Sequence, residues 1–539
     1  MSDYTAPSDD RPDEPSGPKR PKRDWMDRDP VVPPRSLIEP LSGRVLDPGT
    51  AMQVEGVTPR PTVYVGTSLL VAIDRLDDVL PVLEKVGGLK GWTVRVDESF
   101  DSPRVSVPDP KNPENRITLG MARLLLGVTP GVAASSPDAW VLLQLARAEA
   151  GVDSMVGVGL DHLMMTSPVW EPHPVWEPHP VWEPHPVWEP HPVWEPHGAP
   201  ASYGRQGSGG RQPVMYVGEP PVRREKCAVR PHVAIMDTGV GKHPWLDRAV
   251  TEDTPSLIPL DPDTDPEVGG DLAGPLDGEL DTNSGHGTFI AGLIHQACPD
   301  ADIYSWRIVD SEGPVPENRV LTALIGLVSL VQKYHDRQEG GLRIDVLSLS
   351  LGFFHESEDD TLTEHLLGGL LGALGVMGVT VVCAAGNEST ARPQFPAALG
   401  PWRPDEGEAE KVDAFRLPII SVGALNPNAS EALFSNTGRW VRAWASGASV
   451  VSTMPPLQGG YLPRARIKYD GHIREDIDPD DFTGQFAVWS GTSFSAPLVA
   501  GRIAQHLFRT MPADEDKHRA TVKERAWVAV TAVSDIVAP

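Results

Sequence analysis

Cysteine is almost missing from this chain: three residues in 539, Cys227, Cys298 and Cys383. An odd, widely spaced set builds neither a disulfide framework nor a zinc site. Positive charge is in deficit as well. With 47 Lys and Arg against 74 Asp and Glu, the formal net charge is −27, which argues against nucleic acid as a partner. Long apolar runs are absent with one exception, LLGGLLGALGVMGVTVVCAAG at Leu366–Gly386, which carries no charge and is long enough to span a bilayer. Its glycines and the break at Gly378 read instead as an apolar helix followed by a fully buried strand, VTVVCAA, of the kind parallel sheets require. The opening stretch MSDYTAPSDDRPDEPSG is polar and acidic, unlike a secretory signal. No membrane partner and a reducing, cytoplasmic setting are therefore expected.

Proline, by contrast, is plentiful and unevenly spread, and it divides the chain. Residues 1–60 are rich in Pro, Asp and Ser and carry the basic run KRPKR; so little apolar content predicts a disordered tail. Residues 61–166 read as a small α/β domain of ferredoxin-like type. TVYVGTSLLVAI is extended, Leu76, Val79, Leu80, Leu83 and Val86 share one helical face, and WTVRV alternates as a strand. Ser136-Pro137-Asp138 opens a second helix, and SMVGVGLDHL is a last strand. Residues 167–228 form a linker built around PVWEPH, repeated five times without substitution over 168–197. Two prolines in six residues favour polyproline II, which sets successive histidines roughly 19 Å apart on a rod of roughly 90 Å. Zinc needs its ligands about 2 Å from a common centre. The tract is accordingly read as a spacer, with metal or ligand binding by its His and Trp edge as the lesser alternative.

Residues 229–539 alternate apolar strands (HVAIMD, DIYSWRIV, IDVLSLSL, VTVVCAA, PIISVGAL) with helical runs. This pattern predicts a mostly parallel sheet covered by helices on both faces, with a site at the carboxyl ends of its strands. Three motifs fall at such ends: AIMDTG with Asp237, NSGHGTFIAGLI with His286, and SGTSFSAPLVAG with Ser493. Singly, each is a common structural feature, such as a buried Asp or a helix cap. Together they supply a hydroxyl, an imidazole to take its proton and a carboxylate to orient the imidazole, in the chain order Asp, His, Ser.

From about Arg230 to Thr510 the chain resembles the subtilisin-like serine proteases, the subtilase family. The resemblance implies a serine endopeptidase with catalytic Asp237, His286 and Ser493, acting on protein or peptide substrates and needing no cofactor for chemistry. It implies Asn387, in AAGNES, as a side-chain donor to the oxyanion. It also implies Ser350, Leu351 and Gly352 as the edge on which substrate lies, and Ala384, Ala385 and Gly386 as the lining of the specificity pocket. Where the family usually has HPDL this chain has HPWL, with Trp245, which puts the calcium site served by that Asp in doubt. Asp261, Asp263 and Asp265 imitate the start of a calcium loop but lack its glycine and glutamate, so a solvated acidic loop is expected and no metal residue is named. Phe289 stands where the family has a second histidine. Residues 62–165 are similar to a subtilase prodomain in size and order, which implies intramolecular inhibition and a repeat that tethers the inhibitor. The alternative is a catalytically silent subtilase-fold scaffold that recruits partners through the Trp/His repeat.

Overall fold

The computed structural model describes residues 27–30, 32–166, 210–227, 229–251, 254–273, 276, 278–357, 363–405, 407–409, 412–463 and 465–539. The hexapeptide repeat and its reading as a spacer lie outside the described residues.

The N-terminal unit contains α1 (Arg35–Ile38), β1 (Gly43–Leu46), β2 (Thr62–Ala72), α2 (Leu76–Leu89), β3 (Trp92–Val96), β4 (Arg104–Pro108), β5 (Arg116–Val128), α3 (Ala139–Ala150) and β6 (Val158–Thr166). Its antiparallel sheet runs β6-β2-β5-β3, the order of a ferredoxin-like unit, with β1 added to β2 and β4 to β5. Alternation along β2 serves two cores. Leu69 and Val71 pack with α2 and α3, whereas Leu70 and Ala72 join a cluster shared with the second unit. Two expectations need correction. Of the tail expected to be disordered, residues 1–26 and 31 lie outside the described residues, but 27–30 and 32–60 are structured: Ile38, Leu46 and Val57 are buried, Asp27 pairs with Arg60, and β1 is hydrogen-bonded to β2. Apolar anchors spaced singly among prolines give no periodic signal, which is why composition misled. The expected order of strand, helix, strand, helix, strand also lacks the long β4–β5 hairpin, which includes RITLGMARLLLGV.

The second unit is a six-stranded parallel sheet built from β8 (His232–Asp237), β9 (Asp302–Arg307), β11 (Val346–Leu349), β13 (Thr380–Ala384), β14 (Ile419–Leu425) and β15 (Ala443–Ser446), in the order β15-β14-β13-β11-β8-β9. One face is covered by α4 (His286–Ala297), α7 (Thr492–Thr510) and α8 (Glu515–Val533), and the other by α5 (Glu317–His335) and α6 (Gly368–Val376). Along β8, Val233 and Ile235 face the first set while Ala234 and Met236 face the second. The apolar run at Leu366–Gly386 resolves into α6 and the buried β13, and among the described residues no helix is long and apolar enough to cross a membrane. The linker ends earlier than composition suggests. β7 (Gln212–Pro213) pairs with β16 (Phe486–Trp489), and Arg211 is buried, donating to the carbonyls of Leu280, Asp281 and Ser284 while lying over the Trp489 ring.

The two units share a sheet edge. The end of β6 lies between β10 (Val315–Pro316), which pairs with Met164 and Leu163, and β12 (Leu351–Gly352), which pairs with Thr166 and Met165, both antiparallel. Beside this ladder, Asp161 accepts from Asn318 N at 3.0 Å and Asn318 Nδ2 at 2.6 Å. His162 sits between Glu317 at 2.7 Å and Glu356 at 2.9 Å and stacks on Phe353.

Candidate active site

Asp237 ends β8, and parallel pairing on both sides fixes that end at the rim of the sheet. The chain then turns through Thr238 and Gly239 and packs against the start of α4. There, a Cβ on Gly287 would lie 1.9 Å from the Gly239 carbonyl oxygen, so only glycine permits this approach. His286 opens α4, and its Nδ1 donates to Asp237 Oδ1 at 2.7 Å, with both side chains fully buried. Thr238 N also donates to that oxygen, at 2.8 Å. A carboxylate can only accept, so the imidazole proton is on Nδ1 and Nε2 is the basic nitrogen. The ring is held edge-on to Trp489 at 5.7 Å and tilted to Phe494 at 5.4 Å. Phe289 packs against both of these aromatics, so it forms the apolar floor of the site.

Ser493 is the second residue of α7, one residue before Phe494. Its Oγ donates to the Ser350 carbonyl at 3.3 Å, and Ser350 Oγ returns a bond to the Ser493 carbonyl at 3.1 Å. Among the described residues His286 Nε2 has no hydrogen-bond partner. The serine hydroxyl thus engages the Ser350 carbonyl and not the imidazole, a looseness common before substrate binds. Asn387 follows β13 through Gly386, whose φ of +96° and neighbours Gln394 and Asn436 leave no room for a side chain. Asn387 Oδ1 accepts from Thr492 N at 2.9 Å and Thr492 Oγ1 at 3.0 Å. That fixes the amide with Nδ2 as the branch turned away from Thr492.

The sequence-predicted residues therefore gather at one end of the sheet, but the proposed substrate edge is already paired: Leu351 faces Thr166 and Gly352 faces Met165. Ala384 and Ala385 are buried in the cores on either side of β13, and Gly386 N donates to Thr492 Oγ1, so here they contribute packing and backbone. Among the described residues no group of three His, Cys, Asp or Glu side chains is arranged to hold a metal ion. Asp261 and Asp265 instead accept from the backbone of Asp263 and Glu267.

The acidic stretch is not merely solvated loop. Glu267 is buried against Thr238, Gly287 and Thr288, and burial, then the charges of Asp237 and Asp265, push its carboxyl up to about 7. Sequence reasoning missed it because nothing local separates it from its exposed acidic neighbours. His162 was missed too, since its partners lie more than a hundred residues away. Burial opposes its charge, yet hydrogen bonds that its ring donates to Glu317 and then to Glu356 hold the imidazole well above its usual value. Burial would likewise raise Glu356, but the bond from His162 and the charges of His162 and His355 take it down to about 2.

The model of the subtilase family matches residues 230–534. Curated relatives include an intracellular serine protease of Paenibacillus polymyxa, 24% identical and aligned over 50% of this chain and 65% of its own length. Subtilisin-like protease 3 of Pseudogymnoascus destructans is 27% identical over 41% of this chain and 44% of its own. Subtilisin BL of Lederbergia lenta is 25% identical over 50% and 74%. The chain thus spans less than two thirds of the length of the first two relatives. Among solved structures, fervidolysin from Fervidobacterium pennivorans, a keratinolytic enzyme related to subtilisin, superposes with a TM-score of 0.41 at 19% identity, over 87% of this chain and 58% of that one.

Proposed function

The chain belongs to the subtilase family, and from that premise we propose that it is a serine endopeptidase held latent by its own N-terminal domain. Ser493 Oγ attacks the carbonyl carbon of the scissile peptide bond while its proton passes to His286 Nε2. Asp237 keeps the imidazole in the Nδ1–H tautomer and stabilises the imidazolium. The oxyanion accepts hydrogen bonds from Asn387 Nδ2 and from the Ser493 amide at the start of α7, where the helix end favours negative charge. His286 then returns the proton to the leaving amine, and water repeats the sequence on the acyl-enzyme. The observation that carries this reading is the buried 2.7 Å contact between His286 and Asp237 beside the helix start that presents Ser493.

Substrate is an extended peptide, added as a strand to Leu351–Gly352. Latency is supported by the occupation of that same edge by Met165 and Thr166, with Leu163 and Met164 paired to β10 on the other side. A reducing compartment fits three free cysteines, and the relative from Paenibacillus polymyxa is named intracellular.

Fluorophosphonate labelling read by intact mass tests the reading. The expected result is one adduct on the wild-type chain, forming slowly, and none on Ser493→Ala. An unlabelled wild type after the N-terminal domain has been displaced by mutation would sink the peptidase assignment.

A further inference from the structure

Glu267 lies in the connection between β8 and α4, the two elements that carry Asp237 and His286. Its Oε1 accepts from the Thr238 hydroxyl and, at 3.1 Å, from Gly287 N; its Oε2 accepts from Thr288 Oγ1 at 2.5 Å. Thr288 Oγ1 in turn accepts from Gly241 N at 2.7 Å. One buried carboxylate therefore binds the residue after Asp237 to the two residues after His286. The Thr238 hydroxyl also lies 3.2 Å from Asp237 Oδ1 and accepts from Gly287 N at 2.7 Å. It has a single proton and faces two carboxylates.

We propose that Glu267 is a positioning residue for the Asp237–His286 pair, clamping the two loops together and setting the basicity of His286 through the shared proton of Thr238. The inference rests on the peptidase reading. When Glu267 is ionised, Thr238 donates to it, and Asp237 Oδ1 keeps only the donors His286 Nδ1 and Thr238 N. When Glu267 is protonated, it donates to Thr238 Oγ1 and the Thr238 proton turns to Asp237 Oδ1. No heavy atom moves. The first state leaves more negative charge beside His286 and favours the imidazolium; the second withdraws charge and makes Nε2 a weaker base. With its carboxyl pushed up to about 7, chiefly by burial, Glu267 changes state within the range in which a histidine works. The other charged groups around it are Asp265 on its own loop, Asp237 and His286 on the facing elements, and Arg307 at the end of β9. Arg307 aims its guanidinium away, at the Asp261 carbonyl, Thr264 and Asp310.

The test has two readouts on the full chain. In Ser493→Ala protein, the downfield Nδ1 proton of His286 is followed by NMR against pH, with and without Glu267→Gln. The midpoint is expected to fall by about 0.5–1 pH unit in the Gln variant. In the parent chain, the acid limb of fluorophosphonate labelling is expected to move in the same direction. Thr238→Val removes the shared proton while keeping Glu267, and serves if the Gln variant does not fold. Lacking one donor, Glu267 then holds its own proton more tightly, and a smaller fall is expected. An unchanged midpoint in the folded variants overturns the inference. A shifted midpoint in a chain that is never labelled keeps it and overturns the peptidase reading instead.

Discussion

Asn387 owes its orientation to Thr492, which occupies the acceptor end of its amide with two hydrogen bonds. Replacing it with Ala removes one preorganised donor, and turnover of the released enzyme is expected to fall by about 10²–10³-fold, the scale seen when subtilisin loses such a donor. KM should change little, because the oxyanion exists only on the reaction path; steady-state kinetics on a peptide substrate separates the two. Asp237, His286, Ser493 and Asn387 were legible in the sequence because each sits in a short motif whose neighbours, such as Gly287 and Gly386, are dictated by close backbone approach. Glu267 was not legible. Its role depends on a fold that brings Thr238 and Thr288 to the same carboxylate, and no local pattern records that.

The stretch SMVGVGLDHL reads as a strand, as β6 is, but a strand's neighbours are not written in its own residues. Pairing with β10 and β12 became visible only in the fold. At the same edge, α5 begins after Pro316 with no side-chain cap from its own N-cap residue. Asp161, from the other unit, accepts from Asn318 N, the second residue of the helix, and so satisfies a donor that helix ends leave open. Asp161→Ala leaves buried donors on Asn318 and Ser68 unpaired, at a cost of about 1–3 kcal/mol. That corresponds to about one to two orders of magnitude in the undocked fraction. Fluorophosphonate labelling of the full chain should accelerate accordingly, while the rate on an already released protease should not change.

Across the whole molecule, docking carries a pH signature. His162 is raised in the docked state, so its contribution is complete below its free value near 6.5 and fades as pH climbs through the docked one. Glu356, lowered from 4.5 to about 2, contributes fully above 4.5 and is lost as pH falls toward 2. The pair therefore holds most firmly between about 4.5 and 6.5; Asp161, raised by burial, adds to the loosening as pH rises. The protection of residues 158–166 against hydrogen exchange, relative to the intrinsic rate at each pH, is expected to peak in that window in Ser493→Ala protein, and His162→Gln should flatten the profile. The two-unit division was legible from the proline-rich tract. The cluster in which Leu70, Met121 and Met164 meet Leu321 and Leu370 was not, because alternation says which residues share a face but not what covers it. That shared cluster also sets a timetable. Synthesis runs at about 5–20 residues per second, so β6 leaves the ribosome on the order of ten to thirty seconds before β10, α5 and β12 follow. For that interval its edge and the apolar face behind it wait for partners not yet translated, and the later strands emerge to find a finished template.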